Sequence, residues 1–253
     1  KIEAKINLDR IVSRHLGILA MTGMGKSNLV SLITKKISEV KGTVIIFDYH
    51  NDYTTLNIPN VNVIDAKINP RLLEADQFSE VLEIRENADV QQRVLRMSFT
   101  QEVKEAGEFW NKLEYEVDLL VNSEDKKLKE IRTSAYRVQD IIEDAQRRFD
   151  DILDPEIGNP MDYIKEGCTN IINISELSEK QANVAMGFYL QQLLKDRKNA
   201  TIAKHGKSKK QKDYKFFEPV FIILEEAHVF IPKDHDTAAK YWAAKIAREG
   251  RKF

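Results

Sequence analysis

Cysteine is nearly missing from this sequence: Cys168 is the single one. No internal disulfide can form, which fits a reducing compartment and predicts a cytoplasmic protein. Cys168 runs into the apolar stretch "TNIINI" and reads as a buried thiol, not a nucleophile. No apolar run approaches the roughly 20 residues of a membrane span. Lys1 opens a charged segment without the apolar centre of a signal peptide. An excess of one charge is lacking too. With 39 Lys and Arg against 40 Asp and Glu, the formal net charge is -1. No global basic field advertises nucleic acid, so any such contact must be local. His50, His228 and His235 share no metal-ligand spacing with partners, which argues against zinc. No Ser–His–Asp arrangement is supported either. An initiator methionine is missing, and the chain stops at a helix end, "REGRKF". This reads as part of a longer protein.

What is present suits a globular protein with a sizeable core: 42% apolar and 31% charged residues. Short apolar runs alternate with helical segments at both ends of the chain. "HLGILA" (15–20), "TVIIFD" (43–48), "VNVID" (61–65), "TNIINI" (169–174) and "PVFIILEE" (219–226) read as strands. Continuous apolar runs of this kind suit a parallel sheet covered on both faces. Leu29, Leu32, Ile33, Ile37 and Val40 share one face of a helix over 26–40. Further helices are predicted near 178–197 and over 237–249. The alternation implies an α/β sandwich with right-handed crossovers. The middle differs. From Ala88 to Phe149 there is no proline and one glycine, Gly107, while apolar residues recur at three- and four-residue steps. This predicts a helical insertion of about three helices. The predicted organisation is a first part of the α/β core over 1–87, the insertion over 88–158 and a second part of the core over 159–253. "AKHGKSKKQKDYK" (203–215), with six lysines, reads as a surface loop, either solvated or touching DNA phosphates.

The stretch "AMTGMGKSN" (20–28) carries the chemistry. A phosphate loop needs backbone N–H groups that converge on an anion, a helix N-terminus behind them, a lysine for the β- and γ-phosphates and a hydroxyl for Mg²⁺. Gly23 and Gly25 allow the tight turn, and Lys26 and Ser27 open the helix. Ala20 stands where the first glycine of the motif is expected. It ends the preceding strand, where an ordinary backbone angle and a small side chain suffice. Thr22, Gly23, Met24, Gly25, Lys26, Ser27 and Asn28 are the candidate nucleotide-binding run. Far downstream, "VFIILEEAH" ends a strand in two acids. Glu225 is the candidate on the metal side. Glu226 is the candidate general base that polarises water for attack on the γ-phosphate. Arg248 and Arg251 share a helix face or its last turn. Either is an arginine finger for a phosphoryl-transfer site or a simple complement to the helix dipole.

Taken together, "MTGMGKSN", "IIFDYHNDY", "IILEEAHVFIP" and "AAKIAREGRKF", in this order around a helical insertion, resemble the HerA branch of the HerA/FtsK ATPases. The resemblance implies a RecA-like P-loop NTPase of α/β class, with a mainly parallel sheet flanked by helices and a helical-bundle insertion. It implies ATP and Mg²⁺, a homo-hexameric ring, translocation along double-stranded DNA, and work with a NurA-type nuclease on DNA ends in break repair. It puts Lys26 and Ser27 on phosphate and Mg²⁺, makes Glu225 and Glu226 the metal-side and catalytic acids, and sends Arg251 to the neighbouring subunit's nucleotide. Arg14 matches an arginine that touches nucleotide within its own subunit. Met24 departs from the family, which has a small residue there. The family's N-terminal β-barrel, its polar sensor strand and its C-terminal segment fall outside this chain. Three other readings stand beside this one: a viral or conjugative DNA-packaging or transfer ATPase of the same superfamily, a small-molecule kinase, and a nucleotide-gated scaffold without turnover.

Overall fold

The computed structural model describes residues 7, 15–21, 23–55, 60–85, 87–204 and 214–252; the side chains of Lys126, Lys127 and Arg251 are outside the description. The chain divides into two compact units, 1–66 with 161–253, and 67–160.

The first unit is built on four parallel strands. β1 (Thr43–Asp48), β2 (Val61–Asp65), β3 (Thr169–Asn173) and β4 (Val220–Leu224) lie in the order β2-β3-β1-β4. Central β1 is buried along its whole length, and β4 at the edge is only half-buried. That difference follows from position, since β1 has neighbours on both sides and helices on both faces. Val44 and Ile46 point to one face, where they meet Val30, Ile33 and Ile37 of α1 (Lys26–Glu39). Phe47 points to the other face and lies edge-on to Tyr189, 6.3 Å between ring centres, on α8 (Glu179–Lys204). This is the two-residue alternation of a strand at work. The helix expected near 178–197 runs on to Lys204, because its last turns still bury Ala200 and Ala203.

The sheet's N-terminal end is closed by Asn170, which is fully buried. Its amide nitrogen donates to the carbonyls of Lys165, Cys168 and Val44 at 2.8, 3.2 and 3.3 Å. Its oxygen accepts from Lys165 N at 2.8 Å and Asn62 Nδ2 at 2.9 Å. Cys168, expected to be buried, is a half-exposed free thiol, because it lies in the turn before β3. After β4 come the single turn α9 (Ala227–Phe230) and then α10 (Ala238–Glu249), which starts at a Thr237 cap whose hydroxyl accepts from Lys240 N at 3.0 Å. It packs closely on α8: a Cβ placed on Gly187 would lie 2.8 Å from Ala238 Cβ.

One expected strand does not form. Residues 15–20 make no ladder, and Leu19 is 98% exposed. An apolar run becomes a strand only when a neighbour takes its N–H and C=O groups, and the pattern of side chains cannot supply that neighbour. Ile18 alone of this run rests against the α1–sheet core, while His15 Nε2 bonds to Ala247 O of α10 at 2.9 Å.

The second unit is helical. It comprises α2 (Ala75–Val81), α3 (Asp89–Ser98), α4 (Gln101–Glu105), α5 (Phe109–Val121), α6 (Lys126–Lys129) and α7 (Arg132–Arg148). Val94, Leu95, Leu113, Val117, Val138 and Ile142 are buried, from the helical spacing read in the sequence. The unit begins at Lys67, earlier than the expected 88. Phe78 of α2 explains this: its ring lies 4.6 Å from Phe99 and 6.2 Å from Phe109, inside the helical core. Arg71 stitches the entry to the rest of the unit, donating to the carbonyls of Pro155, Lys104 and Ala106 at 2.7, 2.9 and 2.5 Å. Among the described residues no helix is long and apolar enough to cross a membrane.

Candidate active site

The site lies at the C-terminal end of the sheet, the usual place for a ligand in an open α/β fold. It starts with the backbone between Met21 and Lys26. Gly23 has φ 81° and Gly25 φ 89°, both left-handed. A Cβ at either would meet nothing within 4 Å, so glycine is required there by backbone angle, not by space. Gly25 is the N-cap of α1, with no side-chain cap and no acid in the first turn. The N–H groups of that turn therefore have neither an intrahelical acceptor nor a carboxylate, and the dipole favours an anion. Met24 and Asn28 are exposed, and Lys26, Ser27 and Gly25 half-buried.

Lys26 and Glu226 are 200 residues apart in sequence and form an ion pair. This contact brings the two candidate motifs into one site. The second oxygen of Glu226 lies 3.2 Å from His228 Nδ1. The Lys26 ammonium holds the Glu226 carboxyl below the usual carboxylate range, so it is an ionised base. Glu226 itself has φ 45° and ψ 42°. A left-handed backbone at a non-glycine residue costs on the order of 1–2 kcal/mol, and such strain gathers at functional sites.

Glu225 is differently placed. It is 5% exposed, and its Oε2 accepts from Tyr49 N at 3.0 Å and His50 N at 3.3 Å. Burial, helped by the Asp48 carboxylate, pushes its pKa up to about 7 despite the two amides. Asp48 is fully buried at the end of β1, and its oxygens accept from Asp52 N at 3.0 Å and Tyr53 N at 2.9 Å. Burial pushes the Tyr53 phenol up to about 12, so it stays neutral. Ser27 Oγ donates to Asp52 Oδ2 at 3.2 Å. Asp48, Asp52 and Tyr53 are not among the site residues expected from the sequence, where His228 enters only as a discarded metal ligand. The signal available was a polar, acidic turn, "DYHNDY", directly after a fully apolar strand.

Not every candidate is in view. Arg14 and Thr22 lie outside the described residues, and so does most of the 203–215 loop. Arg248 is exposed on α10, and the backbone of Arg251 lies in the short 3₁₀ turn Gly250–Lys252 that follows.

Residues 1–193 match the family described as the central domain of helicase HerA. Among similar proteins are the DNA double-strand break repair helicase HerA of Sulfurisphaera tokodaii, 40% identical, and that of Sulfolobus acidocaldarius, 38% identical. Each alignment takes in 100% of this chain and 51% of the relative. The protein of the same name from Pyrococcus furiosus is 31% identical over 100% of this chain and 53% of its own length. The chain thus spans about half the length of these relatives. The phosphate loop on α1, the acid pair after β4, the parallel α/β P-loop fold and the match over 1–193 agree, and the chain belongs to the HerA helicase family.

Proposed function

We propose that this protein is an ATP-dependent translocase or helicase on double-stranded DNA. It would serve DNA end resection in double-strand break repair beside a NurA-type nuclease. The observation that carries the reading is the meeting of Lys26 and Glu226 behind two left-handed glycines. A lysine at the head of a helix grips phosphate, and an ionised glutamate polarises the attacking water. Lys26 and Glu226 offset each other's charge. An arriving triphosphate competes for the ammonium and leaves Glu226 free to act.

Magnesium fits the chemistry of the candidate donors, the hydroxyl of Ser27 and the carboxyl of Glu225. Among the described residues no three His, Cys, Asp or Glu side chains form a metal group. That suits a cation that keeps most of its waters and leans on phosphate oxygens. When bound, it offsets the charge of the phosphates. The nucleotide lies between subunits of a homo-hexamer, and Arg251 arrives from the next protomer, with Arg248 as the second candidate. A closed head-to-tail ring is the symmetry that allows this.

Two experiments test the reading. Phosphate release by the full-length protein should rise on adding duplex DNA. A protein that binds ATP and never turns it over is a scaffold, and the motor reading fails. Mixing Lys26→Ala with Arg251→Ala subunits creates some interfaces with both groups intact. Recovered ATPase supports an arginine acting in trans, and no recovery in verified mixed rings refutes it.

A further inference from the structure

The Ser27 hydroxyl has one proton and two lone pairs. To offer a lone pair to a cation, it must direct its proton elsewhere. A serine on a helix commonly gives that proton to the carbonyl four residues back. Ser31 does so, donating to Ser27 O at 2.8 Å. Ser27 stands in the first turn of α1, where no helical carbonyl lies four residues back. Its Oγ donates to Asp52 Oδ2, on the turn after β1.

The turn is built to hold Asp52 there. Its own N–H is fixed on the buried Asp48 carboxylate at 3.0 Å, and the next N–H, from Tyr53, on the same carboxylate at 2.9 Å. The other nearby acid is committed: Glu225 Oε2 takes the amides of Tyr49 and His50. The Tyr53 phenol lies within hydrogen-bonding reach of Ser27 as well. A neutral phenol is a weaker acceptor than a carboxylate, so the proton goes to Asp52.

We propose that Asp52 is a positioning residue for Ser27. It takes the hydroxyl proton, so that the serine lone pair faces the mouth of the phosphate loop, where the divalent cation of a bound nucleotide lies. This rests on the phosphate-loop reading above and adds a residue to it. Asp52 touches neither phosphate nor water in this role; it acts through Ser27.

The test is equilibrium binding of a fluorescent ATP analogue to the full-length protein, titrated with Mg²⁺ and repeated in EDTA. In Asp52→Ala, the Mg²⁺ concentration for half-maximal binding should rise about tenfold, the usual effect of losing one charge-assisted hydrogen bond. Binding in EDTA should stay at the wild-type level. Asp52→Asn keeps an oxygen that accepts from the hydroxyl and should stay within roughly threefold of wild type. An unchanged Mg²⁺ dependence in Asp52→Ala overturns the proposal and leaves the function reading intact. So does equal loss in Asp52→Asn, which would mean that charge alone matters, and so does a parallel loss in EDTA. A wild-type protein that binds no nucleotide overturns both.

Discussion

Replacing Glu225 by glutamine should make the protein more stable above neutral pH and leave it nearly unchanged in acid. Glu225 sits 5% exposed beside the buried Asp48. Burial lifts its pKa from 4.5 to about 7. In the unfolded chain the group loses its proton near the lower value, and in the folded chain near the higher one. Between them the folded state binds more protons, so stability falls as pH rises through that window. At about 1.4 kcal/mol per pH unit, the penalty above neutrality reaches about 3 kcal/mol. Glutamine mimics the protonated form. Its oxygen still accepts from Tyr49 and His50, and its nitrogen donates to Asp48 at every pH. Thermal unfolding of wild type and Glu225→Gln at pH 5 and pH 8 measures the effect. The variant should melt higher at pH 8, by roughly 6–12 °C if the full penalty is relieved. At pH 5, half a unit above the lower value, the difference should shrink to under about 1 kcal/mol. An equal difference at both values, or a variant less stable at both, refutes the argument.

Other outcomes follow from the same geometry. Glu226→Gly and Glu226→Ala both remove the base and the Lys26 pair, and the glycine variant, relieved of the left-handed strain, should be about 1 kcal/mol more stable than the alanine one. Denaturation should separate the two variants, while phosphate release falls equally in both. Glu226→Gln should keep nucleotide binding and lower turnover by about 10²–10⁴-fold, measured under single-turnover conditions. Gly187→Ala sets a Cβ 2.8 Å from Ala238 Cβ, and the two helices must separate. The expected cost is about 1–3 kcal/mol by urea denaturation, and a neutral result would show that α10 slides freely on α8.

The sequence was legible wherever a signal is local. β1 and β2 occupy the residues read from it: each is a short run rich in β-branched residues, β1 buried throughout and β2, at the sheet edge, burying Ile64 and exposing Val63. The Thr237 cap marks the start of α10 for an equally local reason, a hydroxyl one residue before the helix. The 15–20 run was not legible as what it is, since forming a ladder depends on a partner elsewhere in the chain. The start of the helical unit was hidden for the same reason. The long stretch free of proline suggested 88, while the contacts of Phe78 with Phe99 and Phe109 place it at Lys67. At the site, Lys26, Glu225 and Glu226 were read from motif and strand context. That Glu225 would be occupied by amides, and Asp52 turned toward Ser27, depends on how the turn after β1 folds back, which no spacing in the sequence encodes.

The two ends of the sheet carry unlike burdens. At the end away from the phosphate loop, one carboxamide, Asn170, wires three stretches of chain together with five hydrogen bonds and spends every donor and acceptor on holding shape. At the opposite end, Asp48 and Glu225 hold the turn after β1 through four backbone amides, while Glu226 is held by side chains, Lys26 and His228, which a ligand can draw away. Variation in rate should therefore be sought at the tips of β1 and β4, and loss of folding at the roots of β3.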